Sequence, residues 1–86
     1  MTNPVEVTIL DGEWTKVATA VQSGFVRLLN QSPANYLYTH RDTGDAAPTD
    51  KTEGAIFEGF SMEISSSVDI DVYIYAAGGG EVRVDL

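Results

Sequence analysis

Apolar and polar residues alternate along most of this 86-residue chain. Val5, Val7 and Ile9 point one way and Glu6 and Thr8 the other, which predicts a half-buried β-strand. Asp11-Gly12 marks a turn. In WTKVATAV, beginning at Trp14, the alternation sets Thr15, Val17, Thr19 and Val21 on one face. FVRLLN (25–30) is apolar on both faces, as expected of a strand covered from both sides. QSPAN (31–35) is turn chemistry, because Pro lacks an N–H for a ladder and Ser and Asn bond their own backbone. YLYTH (36–40) is β-prone again.

Residues 41–54, RDTGDAAPTDKTEG, break the rhythm. They hold no large apolar residue, so they predict one long, mobile polar surface loop, the most protease-sensitive part of the chain. AIF (55–57) follows, then FSMEIS (60–65) with Phe60, Met62 and Ile64 on one face and a turn at Ser66 and Ser67. DIDVYIYA (69–76) is the strongest strand: Ile70, Val72, Ile74 and Ala76 line one side, Tyr73 and Tyr75 the other. Gly78-Gly79-Gly80 signals a hairpin, and Val82, Val84 and Leu86 alternate inward after it.

About seven or eight short strands at a spacing of roughly 8–12 residues predict a single all-β domain over 1–86, an antiparallel β-sandwich of jelly-roll or Ig-like type. Its expected core holds Val7, Ile9, Val17, Leu28, Ile64, Ile70, Val72, Ile74 and Val84. Gly24-Phe25 and Tyr36-Leu37-Tyr38 recur as Gly59-Phe60 and Tyr73-Ile74-Tyr75, a faint echo of two similar sheets.

The net charge of −8 lies in one half. Residues 1–41 balance three cations (Lys16, Arg27, Arg41) against three acids, whereas 42–86 set Lys51 and Arg83 against ten acids. Five scattered cations argue against nucleic-acid binding and against anionic membranes. With no cysteine, neither disulfides nor thiolate metal sites supplement a small core. The N-terminal residues carry neither a basic region nor an apolar run, so no signal peptide is expected.

Little of the chemistry is catalytic. Asp42-Thr43-Gly44 matches the string of aspartic proteases, in which two carboxylates share a proton and a half-enzyme must dimerise. The buried apolar residues that pin that catalytic loop are missing here, which favours an ordinary turn. Asp42, Asp45, Asp50 and Glu53 offer oxygen ligands for a hard cation but lack EF-hand order, and Lys51 intrudes. His40, the only histidine, has no partner at a triad spacing and reads as a strand-end surface residue. No helix follows the triple glycine to make it a phosphate loop. No cofactor, metal or enzymatic activity is expected. Trp14 is a candidate stacking surface for a glycan, or else a core plug. If the aliphatic row faces the core, Tyr73 and Tyr75 face outward beside Tyr36 and Tyr38 as an aromatic interaction surface, unless a loop or strand covers them.

Taken together, GEWTKVATAV, QSPANYLYTHRDTGDAAPT, VDIDVYIYA and the VRVDL ending resemble short, acidic, cysteine-free virion proteins of tailed bacteriophages and prophages. The resemblance spans nearly the whole chain and carries over no catalytic residue. It implies a structural or accessory protein of head, tail or fibre, made in the bacterial host cytoplasm, that oligomerises or docks on a larger virion protein. A small glycan-binding module for a host surface glycan is the alternative, and an aspartic-protease-like dimer through Asp42-Thr43-Gly44 a remote one.

Overall fold

The structure, a computed structural model, describes residues 5–29, 35–57 and 59–86. They form an all-β fold of six strands in one antiparallel sheet: β1 (Val5–Ile9), β2 (Trp14–Leu28), β3 (Tyr36–Asp42), β4 (Ala55–Ile56), β5 (Ser61–Ala76) and β6 (Gly80–Asp85). The sheet order is β1-β6-β2-β5-β3-β4. No helix among the described residues is long and apolar enough to cross a membrane. Most of the expected QSPAN turn, residues 31–34, lies outside the described residues.

The strands are fewer than the seven or eight expected because four of those segments fuse into two. WTKVATAV and the FVRL of the next segment run together as β2, and SMEIS and DIDVYIYA as β5. Gly24 carries β2 through the junction at φ 144°, where an added Cβ would strike the Asp85 carbonyl oxygen and the Leu86 side chain. Only glycine allows that approach.

Each long strand changes neighbours along its length. Residues 14–21 of β2 pair with 70–75 of β5, whose other edge pairs with β3. Residues 23–27 of β2 pair with 61–65 of β5, and 25–28 of β2 pair with β6 on the other side. Register shifts between Lys16 and Ser23 separate these halves. Extra residues on one strand of a pair bend and twist it, so the sheet curls around its apolar face. Ala20, at φ 54°, is the one non-glycine residue with positive φ among those described. These shifts also break the expected row at 15–21: Val17 and Ala18 are buried, Thr19 is exposed.

One core fills the curl. Of the nine expected core residues eight are buried, and Val7 is partly buried against them. Val26, Tyr36, Phe57, Ala76 and Val82 join them. Tyr36 spans the interior from β3, and its hydroxyl oxygen accepts the Glu81 backbone N–H on β6. Gly80 makes room for that ring, since a Cβ there would overlap the Tyr36 hydroxyl.

Two further expectations are corrected. FVRLLN is covered on one face only: Val26 and Leu28 are buried, whereas Phe25 and Leu29 are exposed. The triple glycine turns the chain but makes no hairpin, because β2 and β3 already occupy both edges of β5 at 70–76 and β6 pairs with β1 and β2. The internal echo marks no duplicated unit either, since Gly59-Phe60 leads into the same strand that carries Tyr73 and Tyr75, whereas Gly24 and Tyr36 lie on different strands.

Ile74 is fully buried at the centre of the core. Ile74→Ala should cost about 2–5 kcal/mol, a large share of a small domain's stability. Urea denaturation should show it as a lower midpoint at an unchanged m-value.

Candidate functional site

The four tyrosines do not form one outward face. The β3–β5 ladder places Tyr36 opposite Ala76 and Tyr38 opposite Ile74, so both lie on the core side. Leu37 is opposite Tyr75 and Thr39 opposite Tyr73, on the outer side. Tyr36 is 0% exposed and Tyr73 4%, while Tyr38 and Tyr75 are half-buried. Tyr38 and Tyr36 meet Phe57 edge-on, at centroid distances of 5.7 and 6.4 Å. Tyr73 lies beneath Lys16, whose Nζ is 5.8 Å from the ring centroid, beside its other cross-strand neighbour Thr39. Tyr36 and Tyr73 are therefore corrected from interaction residues to packing residues.

Trp14 is likewise no open stacking platform. It packs 5.5 Å from Tyr75, centroid to centroid, and Gly54 of the following loop lies against its ring. Its indole N–H donates to the Asp50 carbonyl at 3.2 Å. An added Cβ at Gly54 would overlap the indole, so the glycine lets the loop close over the tryptophan.

That loop is organised rather than free. Arg41 and Asp42 already belong to β3, and a 3-10 turn occupies Lys51–Glu53. The Glu53 carboxylate accepts the Thr49 and Asp50 N–H groups, both at 2.9 Å, and the Arg41 guanidinium at 2.6 Å. These bonds, the Thr49 and Asp50 amides foremost and Arg41 after them, hold its carboxyl below the usual 4.5. Its oxygens are thus committed to the loop itself. Among the described residues no group of three or more His, Asp or Glu is placed to hold a metal ion.

Asp42-Thr43-Gly44 forms a turn at the end of β3. The Asp45 N–H closes it onto the Asp42 carbonyl at 2.9 Å, and the Thr43 hydroxyl donates to Asp71 Oδ1 at 3.1 Å. Asp42 is exposed. The threonine serves the neighbouring strand.

Asp71 is the buried carboxylate of the described residues, 3% exposed. It accepts the Ala20 N–H at 2.9 Å, and Lys16 Nζ lies 3.4 Å away. The Ala20 bond foremost, then Thr43 and Lys16, hold its carboxyl below the usual 3.8 against the opposing effect of burial. Nothing in the sequence analysis singled out Asp71. The available signal was an acid inside the most apolar strand, which calls for hydrogen-bonded partners.

His40 is exposed on the core-side row of β3, sharing the face of Tyr36 and Tyr38 as the alternation required. It borders a crevice of about 200 Å³ between β3 and the first half of β5, lined also by Tyr38, Met62, Glu63 and Ile64. Beside this crevice the 61–65 segment has β2 on one edge and no strand among the described residues on the other. Four exposed apolar residues lie in the same half of the sheet, whereas Val5, Leu10 and Ile56 are exposed on or beside β1 and β4. Phe60 is 63% exposed and Phe25 52%, with Leu29 and Leu86 also open. Reading FVRLLN as covered on both faces concealed Phe25 and Leu29.

Asp71 and Glu53 both bind a proton more weakly folded than unfolded. Their contribution is full above the unfolded carboxylate range and is lost as pH falls through the folded values. The thermal midpoint should hold steady at neutral pH and fall below about pH 4. Asp71→Asn should lower the midpoint at pH 7 and shallow the acid limb. Glu53→Ala should red-shift the emission of Trp14, the sole tryptophan, and speed tryptic cleavage at Arg41, which the parent protects by pairing Arg41 with Asp71 on β5. Comparisons with protein-family models, curated proteins and solved structures give no match, and any functional reading rests on these residues.

Proposed function

We propose that this chain is a non-enzymatic interaction module, a structural or accessory component that assembles with its own copies or docks on a larger protein. One observation carries the proposal: Phe25, Phe60, Leu29 and Leu86 are exposed on the half of the sheet whose edge at 61–65 has no strand partner among the described residues. Exposed apolar residues beside open strand groups are what an assembly surface requires. The virion setting and the host-cytoplasm origin rest on the resemblance alone. We read the curled sheet as a two-layer β-sandwich, with support from Tyr36 reaching across the core to Glu81. The glycan-binding alternative loses its main support, because Trp14 is engaged by the loop.

At −8 net charge, copies repel at low salt, so screening should strengthen association. Sedimentation velocity of the parent should show a larger species that grows from low to moderate salt. Phe25→Ser combined with Phe60→Ser should remove it without unfolding the chain, since neither ring belongs to the core. A parent that remains monomeric in both salts, and also with a larger candidate partner protein added, would overturn the proposal.

A further inference from the structure

The edge of β5 at 61–65, which no strand among the described residues covers, has a defined hydrogen-bonding phase. The Leu28 N–H donates to the Phe60 carbonyl at 2.7 Å, and the ladder continues as Arg27 opposite Ser61, Val26 opposite Met62, Phe25 opposite Glu63 and Gly24 opposite Ile64. Antiparallel strands alternate their backbone direction residue by residue. Residues 60, 62 and 64 therefore turn their backbone groups toward β2, while Ser61, Glu63 and Ser65 turn theirs away from it. β2 agrees: the Leu29 N–H bonds Glu81 on β6, which puts 25, 27 and 29 on the β6 side and 24, 26 and 28 on the β5 side.

The other sheet margins are blunted. β4 is two residues long. The first half of β2 carries register shifts and Lys16, and β1 carries Glu6 and follows Pro4 in sequence. Short strands, bulges, charges and prolines are the means by which proteins discourage edge pairing. From 59 to 68, GFSMEISSSV has no Lys, Arg or Pro and one acid, Glu63.

We propose that this edge pairs with the same edge of a second copy, antiparallel about a two-fold axis at Ile64. The inference rests on the assembly reading above and names its partner and register. The strand is self-complementary in that register: Glu63 faces Ser65 of the second copy, and Ile64 faces Ile64. Phe60, 63% exposed, comes opposite Val68, 52% exposed. The outward backbone groups of Glu63 and Ser65 bond those of Ser65 and Glu63 across the axis. An axis at Glu63 would set two carboxylates directly opposite, which destabilises a pair. An axis at Ser65 would set Ser61 against Asp69, whose outward carbonyl already accepts the Thr43 N–H at 3.1 Å. The added strand would also roof the crevice that opens beside Met62 and Ile64. A second copy is favoured over an unrelated peptide because this one segment supplies both halves of the match.

Residue-resolved amide exchange at about 20 µM and about 1 mM tests the pairing. The Ser61, Glu63 and Ser65 amides should gain protection with concentration, while Met62 and Ile64, already bonded to β2, should change far less. Ser65→Glu faces Glu63 twice across the axis and should weaken association about tenfold. Adding Glu63→Lys to Ser65→Glu should restore it by making both cross pairs opposite in charge. Both substituted positions are exposed, and unchanged circular dichroism at low concentration confirms the fold. Association that leaves the three amides unprotected, or that is indifferent to Ser65→Glu, overturns the edge pairing while the assembly reading stands. A parent monomeric at 1 mM overturns the pairing too, and docking on a larger protein is then decided by the Phe25→Ser, Phe60→Ser comparison.

Discussion

The buried Asp71 carboxylate ties together the region where the sheet bends. A carboxylate removed from water needs hydrogen bonds or a counter-charge, and here both come from different segments. The Ala20 N–H reaches it from the irregular stretch of β2, the Thr43 hydroxyl from the turn after β3, and Lys16 from earlier on β2. Ala20 holds a left-handed conformation that costs a residue with a Cβ some strain. The bond to Asp71 offsets that strain and fixes the place where β2 changes register.

The remaining architecture depends on that bend. A long antiparallel pair without register shifts would leave a broad sheet with one face open to water. Because β2 and β5 bend, the apolar faces of their two halves close on one core. The same change of direction separates the neighbours of β5: β3 pairs with 70–76 and leaves 61–65 uncovered. The closed core and the open edge are two results of one distortion. The loop after β3 closes the outer side, seated on Trp14 and held by Glu53.

Much of the fold was legible in the sequence. Period-2 rows located the strands and almost all of the core, because side-chain alternation is a local property of extended chain. The long polar segment was recognised as a connection, but its order was not. Glu53 reaching Thr49 and Asp50 is local and could have been found; its bond to Arg41 and the Trp14 bond to Asp50 join segments distant in sequence. The candidate site was less legible. Trp14 was singled out, yet whether it stacks a ligand or seats a loop depends on where Gly54 comes to lie.

Local residue pattern was enough for an all-β chain, its alternating rows and the absence of disulfide support. Which row faces where emerged only from the packing of the strands. In the β3–β5 ladder Tyr36 meets Ala76 and Tyr38 meets Ile74, so one Tyr-x-Tyr pair turns to the core and the other outward. A one-residue slip would set Tyr36 against Tyr75 and Tyr38 against Tyr73 on one face, and nothing local in either segment specifies the register. Strand partners are also set nonlocally: the glycine turn at 78–80 delivers β6 to β1 and β2 because the edges of β5 beside it are already filled. Alternation is written residue by residue along the chain, whereas partner, register and exposed edge follow from how all six strands share one core.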